Sequence, residues 1–222
     1  MSAVTDFMAA ITTPDPNDPV MQALDAKLLD ASGRVVVRPA HELAQIPTGD
    51  LRAWCHWRAV YLLPSLELVC WLRDKIAGRK AIEIAAGHGA VGRALGIPTT
   101  DSRMQERDDI RALYTLQGQP VIRYHDDIER LDAQEVIEKY KPEVVVGCWV
   151  THVYDAMEHF RGGNFLGVDE DKIVDAATYI HVGSDEIHLH KKILARPHES
   201  IAFPWLYGRG KQRRIRVWEK TP

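Results

Sequence analysis

Three cysteines in 222 residues, Cys55, Cys70 and Cys148, make no CxxC and no framework of pairs. That excludes a disulfide scaffold and leaves a reducing, cytoplasmic setting as the expectation. No apolar run nears the roughly 18 residues of a membrane span, so no membrane partner is expected. The N-terminal stretch MSAVTDFMAAITTPDPNDP has neither a basic start nor a long apolar core, and does not read as a secretory signal. Excess positive charge is also missing. The formal net charge is −3, which excludes a wholly basic nucleic-acid coat but not a local basic patch. What is present is ordinary: 45% hydrophobic, 27% charged, 15 Gly and 12 Pro. Such a composition is not that of a disordered, collagen-like or coiled-coil chain, and the length suffices to bury a core.

The pattern changes along the chain. Residues 1–20 are Pro- and Asp-rich without a sustained period and read as a loose arm, with Phe7 and Met8 as docking points. Residues 21–79 read as a helical extension. Met21, Leu24 and Leu28 have helical spacing, Val35–Val37 is a short strand candidate, and a helix is expected from about Asp50 through Trp54 and Trp57. A second helix follows Pro64, with Ser65 as N-cap, Leu66, Val69, Cys70, Arg73 and Ile76 on one face, and Gly78 ending it. From residue 80 to 222, short apolar runs alternate with helical stretches. Strands are expected at 81–85, 99–101, 121–124, 144–148 and 179–182, and helices at about 90–95, 103–116, 131–140 and 169–177, with Asp132 and Asp169 as N-caps. This alternation means βαβ units and a mostly parallel sheet. Arg214–Trp218 alternates polar and apolar residues, as an outer, half-exposed antiparallel strand would.

The most informative segment is Ala81-Ile82-Glu83-Ile84-Ala85-Ala86-Gly87-His88-Gly89-Ala90-Val91-Gly92. An apolar strand carries an acid near its end, runs into a small-residue turn and opens a helix. Glycines let the backbone approach a ligand, and the helix N-terminus offers unpaired amides. Gly87, Gly89 and Gly92 also fit G-x-G-x-x-G, the dinucleotide fingerprint. Beside a pyrophosphate, however, Glu83 makes little sense; beside a cationic amino group it does. The segment resembles the first motif of the class I S-adenosyl-L-methionine-dependent methyltransferases, departing from it at Ala85, where that family has its first glycine.

The resemblance spans roughly residues 60–190. It implies a doubly wound α/β fold: a Rossmann-like, mostly parallel sheet with an antiparallel C-terminal strand, behind the N-terminal helical extension. It also implies S-adenosyl-L-methionine as cofactor. Glu83, Gly87, Gly89 and Asp101 would hold that cofactor, with Asp101 on the ribose, although the 12 residues from Gly89 to Asp101 leave room for only about two helical turns. Asp127 would approach the adenine, and Tyr61 with Ser65 would close over the methionine end. Cys148 ends the fourth strand at the cofactor, where the family's catalytic motif lies. No proline precedes it, and the Asp/Asn-Pro-Pro-aromatic signature is absent, which argues against both well-marked DNA base methylation chemistries. His152, in the loop after that strand, is the base candidate, since imidazole titrates near neutrality.

Plainer readings stand beside these. Glu83 suits a strand-end acid that caps a backbone amide, Ser65 an N-cap, and Cys148 a small buried hydrophobe. A nicotinamide-dependent oxidoreductase and a degenerate, non-enzymatic methyltransferase-fold module remain the rival functions. His188 and His190 form an H-x-H pair without a third ligand of diagnostic spacing, so no metal site is assigned. Residues 205–222 carry six cations and one anion, which leaves the other 204 residues at −8. This basic hairpin suits either a charge-protected edge strand or a contact to a nucleic acid or nucleotide acceptor.

Overall fold

A computed structural model describes residues 18–220. Most of the predicted arm, including Phe7 and Met8, lies outside the described residues, and Asp18 caps the first helix by accepting from Val20 N at 2.8 Å. Three helices come first: α1 (Pro19–Leu28), α2 (Ala40–Leu43) and α3 (Thr48–Trp57). Met21, Leu24 and Leu28 of α1 pack with Leu51, Trp54 and Cys55 of α3 in one buried cluster. Asp25 ties the helices together, accepting from Trp54 Nε1 and Arg58 Nε, each at 2.8 Å. The Val35–Val37 strand does not form; only a single bridge joins Val35 to Leu29.

β1 (Leu62–Leu63) leads into α4 (Leu66–Ile76), where Ser65 Oγ accepts from Leu68 N at 3.1 Å, the expected N-cap. The buried face of α4 is Leu68, Val69, Leu72 and Ile76; Leu66 and Cys70 lie outward, so the predicted face is rotated. The sheet region follows with β2 (Ala81–Ile84), α5 (Ala90–Leu95), β3 (Thr100–Asp101), α6 (Asp108–Leu116), β4 (Glu129–Arg130) and α7 (Ala133–Tyr140). It continues with β5 (Val144–Cys148), α8 (Glu170–Ala176), β6 (Thr178–Ser184), α9 (Asp185–His188), β7 (Glu199–Ile201), β8 (Tyr207–Gly208) and β9 (Arg213–Trp218).

The central sheet has the order β2-β5-β6-β9-β7. β2, β5 and β6 are parallel, and β9 runs against both its neighbours. A Glu83–Thr99 bridge hangs the parallel pair β3-β4 on the far side of β2. The chain therefore leaves β2 outward to β3 and β4, then returns to β5 on the other side. That reversal opens a crevice beyond the carboxyl ends of β2 and β5, the usual ligand position in an open α/β sheet. The valines of β5 at 144–146 have no exposed surface, as a strand covered on both faces requires. Burial of each is worth about 1.5–3 kcal/mol. The fold is mixed α/β with a mostly parallel central sheet.

Two further strand expectations are corrected. Residues 121–124 are not a strand; Pro120 precedes them, and the Ile122 amide is given to Gln105 Oε1 at 2.8 Å instead of to a neighbouring strand. The third strand lies at Glu129–Arg130, where Glu129 N reaches Thr99 O at 2.9 Å. β9 is internal, between β6 and β7, and not an outer strand. Ile215, Arg216, Val217 and Trp218 are all buried there.

Candidate functional site

The turn after β2 has the geometry its glycines allow. Gly87 and Gly89 take φ of +55° and +65°, and Ala85 is held at +47°. A β-carbon on Gly92 would stand 2.2 Å from Thr99 Cγ2, so only glycine lets α5 lie this close to the sheet. α5 is only six residues long, under two turns, and Gly96 at φ +70° ends it.

Two buried carboxyls organise the turn. Glu83, 1% exposed, turns inward, and its Oε2 accepts the Gly92 amide at 2.7 Å. Burial pushes its pKa up to about 8, opposed by the Gly92 amide. Asp101, at the end of β3, accepts from Gly87 N at 2.9 Å through Oδ2 and from Arg103 N at 2.7 Å through Oδ1. Burial raises its pKa as well, while these amides and the Tyr124 hydroxyl pull it back.

A cavity of 1140 Å³ opens over this turn. Six of the predicted site residues line it: Tyr61, Glu83, Gly87, Asp101, Cys148 and His152. Three do not. Ser65 is fully buried, with its hydroxyl donating to Trp205 O at 2.8 Å while it caps α4. Gly89 sits behind the turn, where a β-carbon would stand 3.0 Å from Ile128. Asp127 points to solvent and pairs with Arg93 at 2.8 Å and Arg34 at 3.6 Å, which hold its pKa down. The cavity wall near Asp101 is made by Ile122 and Tyr124. The failed strand put these side chains there.

Cys148 lies against Glu83, and burial together with that neighbour raises its thiol pKa well above normal, so it is no thiolate nucleophile. Trp149 has φ +58°, rare for a bulky residue. Its amide bonds Val182 O at 2.8 Å, and its ring sits 5.8 Å from Tyr61 and 5.1 Å, edge-on, from His188. Sequence reasoning passed over Trp149, although an aromatic at the end of a central parallel strand is the available signal. His152 follows it, with a buried Nε2 that has no partner among the described residues. Its loop is pinned by Asn164 N to His152 O at 3.0 Å and Val168 N to Thr151 O at 2.8 Å.

The histidine pair separates. His188 is buried on α9 and lines the cavity, whereas His190 is exposed beside Phe160. No metal-binding cluster of His, Cys, Asp and Glu occurs among the described residues. Behind His152 and His188 lies a buried ion pair, Lys191 Nζ to Glu170 Oε1 at 2.8 Å, which also accepts the Tyr179 hydroxyl at 2.8 Å. Burial, then the Lys191 charge, lowers the pKa of both imidazoles, that of His188 to about 3. Both are neutral at pH 7.

No protein-family model matches the chain, and no curated protein matches it. Among solved structures, a SAM-dependent methyltransferase from Neisseria gonorrhoeae is similar at 14% identity, over 82% of this chain and 71% of its own, with a TM-score of 0.35. A Thermoplasma acidophilum protein is similar at 14% identity, over 68% of this chain and 88% of its own, with a TM-score of 0.33. No helix among the described residues is long and apolar enough to cross a membrane.

Proposed function

We propose that the cavity binds S-adenosyl-L-methionine and that the protein transfers its methyl group to an acceptor. The observation that carries this reading is the use of the turn's amides. A pyrophosphate at the start of α5 would need free N–H groups. Gly92 N is given to Glu83 and Gly87 N to Asp101. A dinucleotide would also face two buried acids, which disfavours the oxidoreductase. A cofactor with ribose hydroxyls to donate and no phosphate suits these acceptors. A carboxylate has about four lone-pair sites, and Asp101 gives up two to amides and one to Tyr124.

The cofactor would supply an electrophilic methyl group on a sulfonium. The chain would do the rest. Asp101 takes a ribose hydroxyl, and Ile122 with Tyr124 flanks the adenine. Gly87 permits close approach of the backbone. Tyr61 and Trp149 exclude water and align the acceptor, which is most of the catalytic task in a displacement. His152, neutral with a free Nε2, receives the proton of an acceptor that must lose one.

Calorimetric titration with S-adenosylhomocysteine and with NADH tests this. Wild type is expected to bind the former and not the latter, and Asp101→Ala to bind at least tenfold more weakly. No binding by wild type overturns the function. Equal binding by Asp101→Ala overturns the site.

A further inference from the structure

The six C-terminal cations do not form a patch. Arg213 donates to Leu206 O at 3.1 Å and Gly208 O at 2.7 Å. Arg214 and Arg216 both bond Asp185, and Arg216 is 3% exposed. Lys211 and Lys220 lie at the surface. Of the six, only Arg209 lines the cavity, whose wall also carries Arg52 and Arg161.

Its placement is built. The Gly208-Arg209-Gly210 corner has φ of +139° at Gly208 and +71° at Gly210. A β-carbon at Gly208 would stand 2.4 Å from Tyr61 O, and one at Gly210 would stand 2.8 Å from Ser184 Oγ and 3.0 Å from Trp149 Cη2. Only glycines let the chain cross here, and the crossing is fixed by Arg209 N to Tyr61 O at 3.0 Å and by the β1–β8 pairing. The guanidinium then lies 4.7 Å over the Tyr61 ring, with Nη2 donating to His56 Nδ1 at 3.0 Å. It has no carboxylate partner among the described residues, and its Nη1 is buried without an acceptor. Trp149, whose ring also packs on Tyr61, has an Nε1 that is likewise buried without an acceptor among the described residues. An unmet buried donor is costly, more so when charged. Arg209 and Trp149 both line the cavity and both can only donate, which matches a ligand group rich in acceptor oxygens.

Resting on the methyl-transfer reading above, we infer that Arg209 holds an anionic group of the methyl acceptor, a carboxylate or phosphate attached to a planar ring that lies along Tyr61 and Trp149. The guanidinium fork is suited to either oxyanion, and the aromatic wall to the ring. The cofactor's own carboxylate is the competing source of the same chemistry.

The test is titration of wild type, Arg209→Gln and Arg209→Lys with phenyl phosphate, benzoate and benzamide, with and without saturating S-adenosylhomocysteine. The two anions are expected to bind wild type with the homocysteine present and benzamide to bind far more weakly. Arg209→Gln should lose at least tenfold in anion affinity and Arg209→Lys less, while S-adenosylhomocysteine affinity stays within twofold. Absence of anion binding to wild type, or equal binding by Arg209→Gln, overturns the inference. So does displacement of the anions by S-adenosylhomocysteine together with a tenfold loss of its affinity in Arg209→Gln, which would give the seat to the cofactor. Arg209-dependent anion binding by a protein that ignores S-adenosylhomocysteine would sink methyl transfer and leave the anion seat standing. If Arg209→Gln does not fold, the preference of wild type for benzoate over benzamide under saturation decides.

Discussion

Glu83 Oε2 accepts the amide of Gly92 at 2.7 Å, so the acid of β2 closes the first turn of the helix that follows it. The contact is possible because position 92 has no side chain; a β-carbon there would stand 2.7 Å from that same oxygen. The motif is therefore a self-contained piece of structure before it is a binding site. Its acid spends one oxygen on the fold.

This arrangement has a pH signature. The Glu83 carboxyl is raised from 4.5 to about 8 by burial. Between those values the native protein keeps a proton that the unfolded chain has released. Stability is then fully present below pH 4.5 and is lost as pH rises through about 8. Each unit of separation is worth about 1.4 kcal/mol. Glu83→Gln keeps an acceptor for the Gly92 amide and cannot ionise. Urea unfolding at steps across pH 5 to 9 should show the variant gaining on wild type as pH rises, then levelling off above about 8. A difference independent of pH would refute the buried, protonatable Glu83.

The strained alanine gives a second expectation. Ala85 stands at φ +47°, where a β-carbon costs about 1–2 kcal/mol. Glycine removes that strain but adds about 0.5–1 kcal/mol of backbone entropy to be lost on folding. Ala85→Gly should therefore stabilise by about 0.5–1 kcal/mol. It should leave S-adenosylhomocysteine affinity unchanged or improved, because the turn already has the shape glycine favours. A lower midpoint would mean that the methyl group contributes packing that outweighs the strain.

Much of the sheet was legible because periodicity reports burial. The 144–148 strand reads as an apolar run since both its faces are covered, and the helices at 90–95 and 133–140 announce themselves by a glycine turn and by the capping acid Asp132. Failures came where the tertiary context, not the local pattern, decides. Val121–Tyr124 has strand composition, but its amide at Ile122 finds Gln105, seventeen residues earlier in the chain. Arg214 and Arg216 read as exposed because they are charged; Asp185 on α9 supplies the partner that allows Arg216 to be buried. The site divided along the same line. Asp101 and Gly87, which line the cavity, could be singled out because turn and strand end are local features. Arg209 reaches the cavity only through the pairing of residues 62–63 with 207–208, about 145 positions apart, and no local motif encodes that.

The buried pair Lys191–Glu170 supports the cavity from behind, with side chains only 2% and 3% exposed. Removing one partner leaves an uncompensated charge, which typically costs about 3–5 kcal/mol, whereas replacing both with apolar or neutral groups of like volume is often near neutral. Lys191→Met should therefore be strongly destabilised, and Lys191→Met with Glu170→Gln should recover most of the loss, with the Tyr179 hydroxyl retaining a partner. The pair also reaches the imidazoles. After burial, Lys191 is the largest cause lowering His152 and His188. The double variant also loses Glu170, whose charge raises His152, but Lys191 is the larger influence, so the titration of His152, followed by NMR of its ring protons, should still move upward by a small step. An unmoved His152 in a folded double variant would show that the Lys191 and Glu170 charges cancel at the imidazole and that burial keeps it neutral.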